Sequence, residues 1–483
     1  MEDDMATVSR LEVPAQTAQV SPGVFASLDL HGLDRIAPVL LAALATDEPL
    51  LLIGAHGTGK TLLLTRVAEA LGLAFRHYNA SLLNFDDLVG FPLPGKDGSL
   101  EYVRTPAAIW GAEAVLFDEI SRCRPDIQNK IFPVVHERRV QGIALTGLRY
   151  RWAAMNPPMI DDDDAGYVGS EPLDPALADR FVFVVQMPDW EQLTEAEQFA
   201  IIGADAGTAS AEAGRRLRTM IATIHTLLPA LTASMKSGLV AYVQVLHRLL
   251  GQAGIRLSPR RAGMLCRSTI AVHAAARALD VNANLSDSAL LTVRHGLPHR
   301  AEGRKIAETV LLAAHKEAWR LAAVKPDDPL KAILMTADPI DRVQIAIATH
   351  ELKKTEFSGV VADALAQLPP GSAAALVVHL FETGAAGRLA AAVAEQAAEL
   401  YRDIATPLKF SLTLHASHPR YAAWQRLKDI LSRLDPADPR AHLCANALVA
   451  LYAREKLVTT EATEAAFQGF RTADARLGGA GEP

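Results

Sequence analysis

Between about residue 30 and residue 188, short apolar runs alternate with stretches of helical spacing. The runs are Leu50–Ile53, Ala74–Tyr78, Ala114–Phe117, Trp152–Met155 and Phe181–Val185. Such runs, broken by helical patterns, suit strands buried on both faces and joined by crossover helices, so they predict a five-stranded parallel sheet in an α/β layer. Beyond Trp190 the strand signal stops. Met264, Ile270, Ala271 and Ala274 keep helical spacing, and alanine-rich helical segments run on to the end, broken by prolines such as Pro326, Pro329, Pro339, Pro369 and Pro370. The expected layout is a lead-in over 1–29, an α/β core over 30–188, an all-α lid over 189–324 and a C-terminal helical domain over 325–483.

Charge and cysteine usage narrow the setting. Acidic residues outnumber basic ones by 55 to 48, which argues against a protein that coats nucleic acid or anionic lipid. The N-terminus, MEDDMATVSR, lacks the basic and apolar regions of a signal peptide. No apolar run approaches the roughly 18 residues of a membrane span. Cys123, Cys266 and Cys444 form no CxxC pair and read as reduced, buried thiols. A cytoplasmic setting is expected.

The first chemical signal is Gly54-Ala55-His56-Gly57-Thr58-Gly59-Lys60-Thr61, which fits GxxxxGK[ST] and follows an apolar strand. Leu64, Val67, Ala68 and Leu71 then give a helix that Gly72 ends. Glycines let backbone N–H groups turn toward an anion, and the helix N-terminus adds partial positive charge. Lys60 is placed to reach β- and γ-phosphates and Thr61 to ligate Mg²⁺. A second strand ends in Asp118-Glu119, 58 residues after Lys60. Asp118 suits the water shell of the metal, and Glu119 suits polarising an attacking water.

The order of this loop, Asp118-Glu119, Met155-Asn156-Pro157 and Leu177-Ala178-Asp179-Arg180-Phe181 resembles the AAA+ ATPases, and within them the MoxR family. Gln128–Lys130 with His136–Arg139 is similar to that family's helix and hairpin before sensor 1, and Asp87–Gly90 followed by Lys96–Arg104 to its helix-2 insert. The resemblance spans about residues 30–300. It implies ATP and Mg²⁺ as cofactors, Asn156 as sensor 1, and Arg180 as an arginine finger acting on a neighbour's nucleotide in a ring, usually a hexamer. It also implies remodelling of a client protein, often with a partner carrying a von Willebrand factor A domain, and a hairpin near Gln141–Leu148 in the ring's pore. Ser258-Pro259-Arg260-Arg261 looks like the start of the sensor 2 helix; Arg260 is the preferred sensor, with Arg261 as the alternative. Two other classes stay open: a nucleic-acid-stimulated motor and a nucleotide-gated scaffold with little turnover.

Some features carry less. Pro133 interrupts an otherwise helical stretch, 126–138, and Asp161–Asp164 lengthen the loop before Arg180 as a solvated acidic stretch. His350-Glu351 begins like HExxH but ends in Lys354, and His295 and His299 are separated by Gly296 and Pro298, so neither pair is expected to bind metal. His56 reads as a passenger of the loop, Arg215, Arg216 and Arg218 as a solvated face of the lid, and Asp179 as a partner for a nearby base.

Overall fold

The computed structural model describes residues 23–94, 100–158, 170–204, 210–324, 328–406, 415 and 417–478; Asp161–Asp164 lie outside the described residues. The chain divides into two compact units, Met1–Ala323 and Val324–Pro483.

In the first unit, α1 (Ala37–Thr46) leads into strand β1 (Leu50–Ile53), followed by α2 (Lys60–Leu71) and β2 (Phe75–Asn79). The chain continues through the short α3 (Phe85–Val89), β3 (Ala114–Asp118), α4 (Pro125–Glu137), β4 (Tyr150–Met155), the single turn α5 (Pro175–Ala178) and β5 (Phe183–Gln186). These five strands form one parallel sheet in the order β2-β3-β4-β1-β5. The predicted α/β core with a five-stranded parallel sheet is therefore what the chain adopts. Strands β1 and β4 are buried at every residue, as expected of strands covered on both faces. At one edge, β2 carries Arg76 and His77 and is half open, a polar edge that discourages further pairing.

Two antiparallel ribbons project from this core. One pairs Phe91–Pro94 with Leu100–Val103, and the other pairs Arg139–Val140 with Ile143–Ala144. The second turns at Gln141 (φ 47°) and Gly142 (φ 78°), two successive positive φ values of the kind that close a two-residue hairpin. The segment expected as lead-in contributes to the fold at its end: Phe25 and Leu28 are each 1% exposed, and Arg66 donates to the Leu28 carbonyl at 2.7 Å.

An all-α region follows: α6 (Glu195–Ile202), α7 (Ala211–Gln252), α8 (Pro259–Leu279), α9 (Leu285–Gly296) and α10 (Glu308–Ala322). Ser210 caps α7 and Ser258 caps α8 through their hydroxyls. Gly214 in α7 lies so close to α2 that a Cβ there would stand 2.4 Å from the Ala70 carbonyl oxygen, and Arg218 donates to that same carbonyl at 2.7 Å. Arg218 is thus tied to the core, whereas Arg215 and Arg216 keep the exposed positions expected of a solvated face.

The second unit is wholly helical among its described residues: α11 (Pro329–Met335), α12 (Pro339–Ala348), α13 (Lys354–Gln367), α14 (Pro370–Glu382), α15 (Ala391–Ala405), α16 (Tyr421–Arg433), α17 (Pro439–Ala453) and α18 (Thr460–Gly478). Its centre is α14, whose residues from Ala373 to Val378 are all buried. Helix α18 crosses α14 closely; Ser372 Oγ donates to the Gly469 carbonyl at 3.1 Å. No helix among the described residues is long and apolar enough to cross a membrane.

Candidate functional site

Three neighbouring strands, β3, β4 and β1, bring their C-terminal ends together, and the predicted site residues follow those ends. Gly54 begins the loop after β1, Asp118 closes β3, and Asn156 follows β4. In open parallel sheets, this carboxyl edge is where ligands bind.

The loop is built by its glycines. Gly57 and Gly59 both have φ of 78°, the left-handed region that side chains disfavour. Gly59 is the N-cap of α2, so the first turn of that helix opens directly onto the loop. Ala55 and Thr58 close it internally: Thr58 Oγ1 donates to the Ala55 carbonyl at 2.8 Å. His56 is exposed on the rim.

Lys60 is 8% exposed, and its ammonium donates to the carbonyls of Gly54 and Ala55, each at 2.8 Å, and to Asn156 Oδ1 at 3.1 Å. Burial lowers its pKa from the ordinary lysine value, opposed by the charges of Asp118 and Glu119. Next to it, Thr61 Oγ1 donates to Asp118 Oδ2 at 2.7 Å. Burial favours the neutral Asp118, but bonds from His77, Thr61 and the Glu119 backbone outweigh it and hold the carboxyl below its usual range. Two hard oxygen donors side by side, one of them ionised, fit a small divalent cation such as Mg²⁺.

Glu119 has φ of 55° and begins a short turn. Its carboxylate is 3.1 Å from Arg122 Nε and about one-third exposed. Its charge still reaches Lys60, whose pKa it helps to raise against burial.

Two sets of contacts were not read from the sequence. His77 Nε2 lies 3.2 Å from Asp118 Oδ2. The parallel register that sets Asn79 opposite Asp118 places His77, two residues earlier, on the same face as that carboxylate. Ser170 Oγ bridges the Asn156 carbonyl and Ser121 Oγ, both at 3.0 Å, and so ties the loop after β4 to the turn after β3.

Arg180 follows α5. Its guanidinium lies 4.9 Å from the centroid of the Phe132 ring on α4 and donates to the Ala176 carbonyl. Asp179 pairs with a base as expected, and the base is Arg261, at 3.1 Å. Of the two candidate sensors, Arg261 is 1% exposed, whereas Arg260 has 44% of its side chain exposed and lies 3.9 Å from Asp179. Arg260 and Arg180 share a neighbourhood: after burial, their charges are the main causes that lower the pKa of His136.

His295 and His299, 8% and 2% exposed, are packed into the helical region, and the Nδ1 of each has no hydrogen-bond partner among the described residues.

Residues 49–181 match the family described as AAA domain (dynein-related subfamily). No curated protein matches the chain. A solved structure from Cytophaga hutchinsonii ATCC 33406, described as that of an ATPase candidate, is 18% identical, covers 61% of this chain and 92% of that chain, and gives a TM-score of 0.41. The family match runs from the start of β1 to the loop before β5 and encloses the phosphate loop, Asp118-Glu119, Asn156 and Arg180. With that match and a parallel sheet in the order β2-β3-β4-β1-β5, the first unit carries an AAA nucleotide-binding domain.

Proposed function

We propose that this chain is a Mg²⁺-dependent, ring-forming ATPase of the MoxR kind, which uses ATP hydrolysis to remodel a client protein, together with a partner carrying a von Willebrand factor A domain. The observation that carries the chemistry is the meeting of Lys60 with Asn156 and of Thr61 with Asp118. Residues 57 to 96 positions apart in the chain are thereby joined at one sheet edge.

The loop N–H groups and Lys60 bind the β- and γ-phosphates. Thr61 and Asp118 hold Mg²⁺, which neutralises charge on the phosphate oxygens when bound. Asn156 is within reach of Lys60 and orients the γ-phosphate with its amide. Glu119 orients and polarises the attacking water. Arg180, permanently charged and planar, suits the charge that spreads over the γ-phosphoryl oxygens of a neighbour's nucleotide; such fingers contribute about 10³–10⁵-fold in related systems. Arg260 lies 3.9 Å from Asp179, next to Arg180 in the chain, which supports assigning it to the same nucleotide. Loss of the γ-phosphate removes charge-assisted bonds and biases a two-state motion of the helical region. The hairpin near Gln141–Leu148 is the element to be moved; Ile143, just after the turn at Gln141 and Gly142, is 55% exposed, which suits contact with a client chain.

The test is a set of variants assayed for nucleotide binding and steady-state turnover. Lys60→Ala is expected to abolish binding, and Glu119→Gln to retain ATP without turning it over. Turnover by Glu119→Gln at the wild-type rate would sink the assignment. Strong stimulation of the wild type by DNA would instead favour a nucleic-acid motor. A pull-down with the ATP-trapped Glu119→Gln form identifies the client.

A further inference from the structure

Arg261 is 1% exposed, yet all three of its guanidinium nitrogens donate hydrogen bonds. Nε donates to Asp179 Oδ1 at 3.1 Å, Nη1 to the carbonyls of Phe181 (2.8 Å), Gly296 (2.9 Å) and Val182 (3.3 Å), and Nη2 to that of Ala178 (3.4 Å). The second oxygen of Asp179 accepts from Ser258 Oγ at 2.9 Å. One side chain from the first turn of α8 therefore grips residues 178, 179, 181 and 182. Among these contacts it passes over Arg180, whose guanidinium lies instead on Phe132.

A buried ion pair adds little net stability compared with apolar packing of similar volume. What it does supply is direction, because the planar fork fixes several acceptors at once. Here the acceptors bracket the arginine that leaves the core surface, and one more, Gly296, belongs to the end of α9. The helical region and the backbone that bears Arg180 thus meet at this guanidinium, with Ser258 adding a further bond to Asp179.

We propose that Arg261, braced by Asp179, is a positioning residue for Arg180: it lets helix α8 set how the finger is presented to the adjoining subunit. The proposal rests on the reading of Arg180 as a finger acting across subunits. Because Arg260 occupies the same helical turn, a pull on that turn by a bound nucleotide reaches the Arg180 backbone through Arg261.

The experiment uses the full chain with Arg261→Ala, Arg261→Lys and Arg180→Ala, each assayed alone and mixed with Glu119→Gln protein. A misplacement of about 1 Å costs about 10²-fold in rate, so kcat of the Arg261 variants should fall by about that factor while nucleotide affinity holds. Mixing Arg261→Ala with Glu119→Gln should restore turnover, because the Glu119→Gln subunit brings an intact finger to a subunit whose own phosphate loop and Glu119 are intact. If Arg261 served only its own subunit's pocket, mixing would restore nothing, and that result overturns the proposal. Should Arg261→Ala melt below the assay temperature, Arg261→Lys, which keeps the charge but loses the fork, carries the same test; full activity of Arg261→Lys also overturns it. Arg180→Ala mixed with Glu119→Gln separates the two ideas. If subunits carrying a fluorescent label exchange into joint rings and this pair still fails to recover, the cross-subunit finger is wrong, and the positioning role falls with it. Recovery by this pair but not by Arg261→Ala rejects the positioning role alone.

Discussion

A Cβ at Gly54 would stand 2.8 Å from the Met187 Cβ and 2.8 Å from Thr58 Oγ1. The loop after β1 is therefore pressed against the residue that follows β5, and overpacking of this kind costs about 1–3 kcal/mol. Gly54→Ala is expected to weaken nucleotide binding by about tenfold or more, since 1.4 kcal/mol is a factor of ten; a nucleotide titration against the wild type reads it directly. The phosphate loop was legible in the sequence because its eight residues are contiguous. Asp118 and Glu119 were legible because an apolar strand announces its own end. Ser121 and Ser170 were not, since they meet across 49 positions and two serines carry no pattern. The choice between Arg260 and Arg261 was closed to sequence reasoning for a geometric reason: successive residues on a helix point about 100° apart, and only the position of the carbonyls at 178–182 decides which one turns inward.

At the scale of elements, the five predicted strands all formed, with ends shifted by two residues or fewer. Helix α4 runs from Pro125 to Glu137 straight through Pro133, where an interruption was expected. Proline removes one backbone donor, but Ile127, Ile131, Val134 and Val135 are each 3% exposed or less, and this packing outweighs one lost bond. Pro229 is carried within α7 in the same way. In the second unit the sequence showed alanine-rich helices without showing which pair would touch. The close pair is α14 with α18, where a Cβ on Gly371 would fall 1.9 Å from the Ala466 carbonyl oxygen. Gly371→Ala must push backbone apart rather than a flexible side chain, so a destabilisation of about 3 kcal/mol is expected. Hydrogen exchange over 370–382 and 460–478 should accelerate; unchanged protection there would refute the close crossing.

Across the molecule, the expected all-α character after Trp190 holds throughout the described residues, because helical spacing persists whatever the tertiary partner. The sequence could not show that the helical region hides histidines. His273 and His299 are held down to about 4 and His295 to about 3, in each case first by burial and then by nearby arginines. In the unfolded chain they titrate near 6.5. Between pH 6.5 and about 4 the unfolded state therefore binds more protons, and stability is lost as pH falls, by up to about 1.4 kcal/mol per pH unit for each histidine. The melting temperature is expected to drop between pH 6.5 and 5, before most carboxylates titrate. A flat profile over that window would contradict neutral burial of these rings.

Lys60 has a consequence for how the cradle fills. All three protons of its ammonium already have acceptors, two carbonyls and the Asn156 amide oxygen. Lys60 thereby holds the first two carbonyls of the loop and the Asn156 side chain together. On the proposed reading, the share of Lys60 in binding a phosphate is thus an exchange of partners, driven by the amount by which an anionic oxygen outbids a neutral one. On that same reading, a phosphate that draws Lys60 away from Asn156 couples binding and sensing at one ammonium.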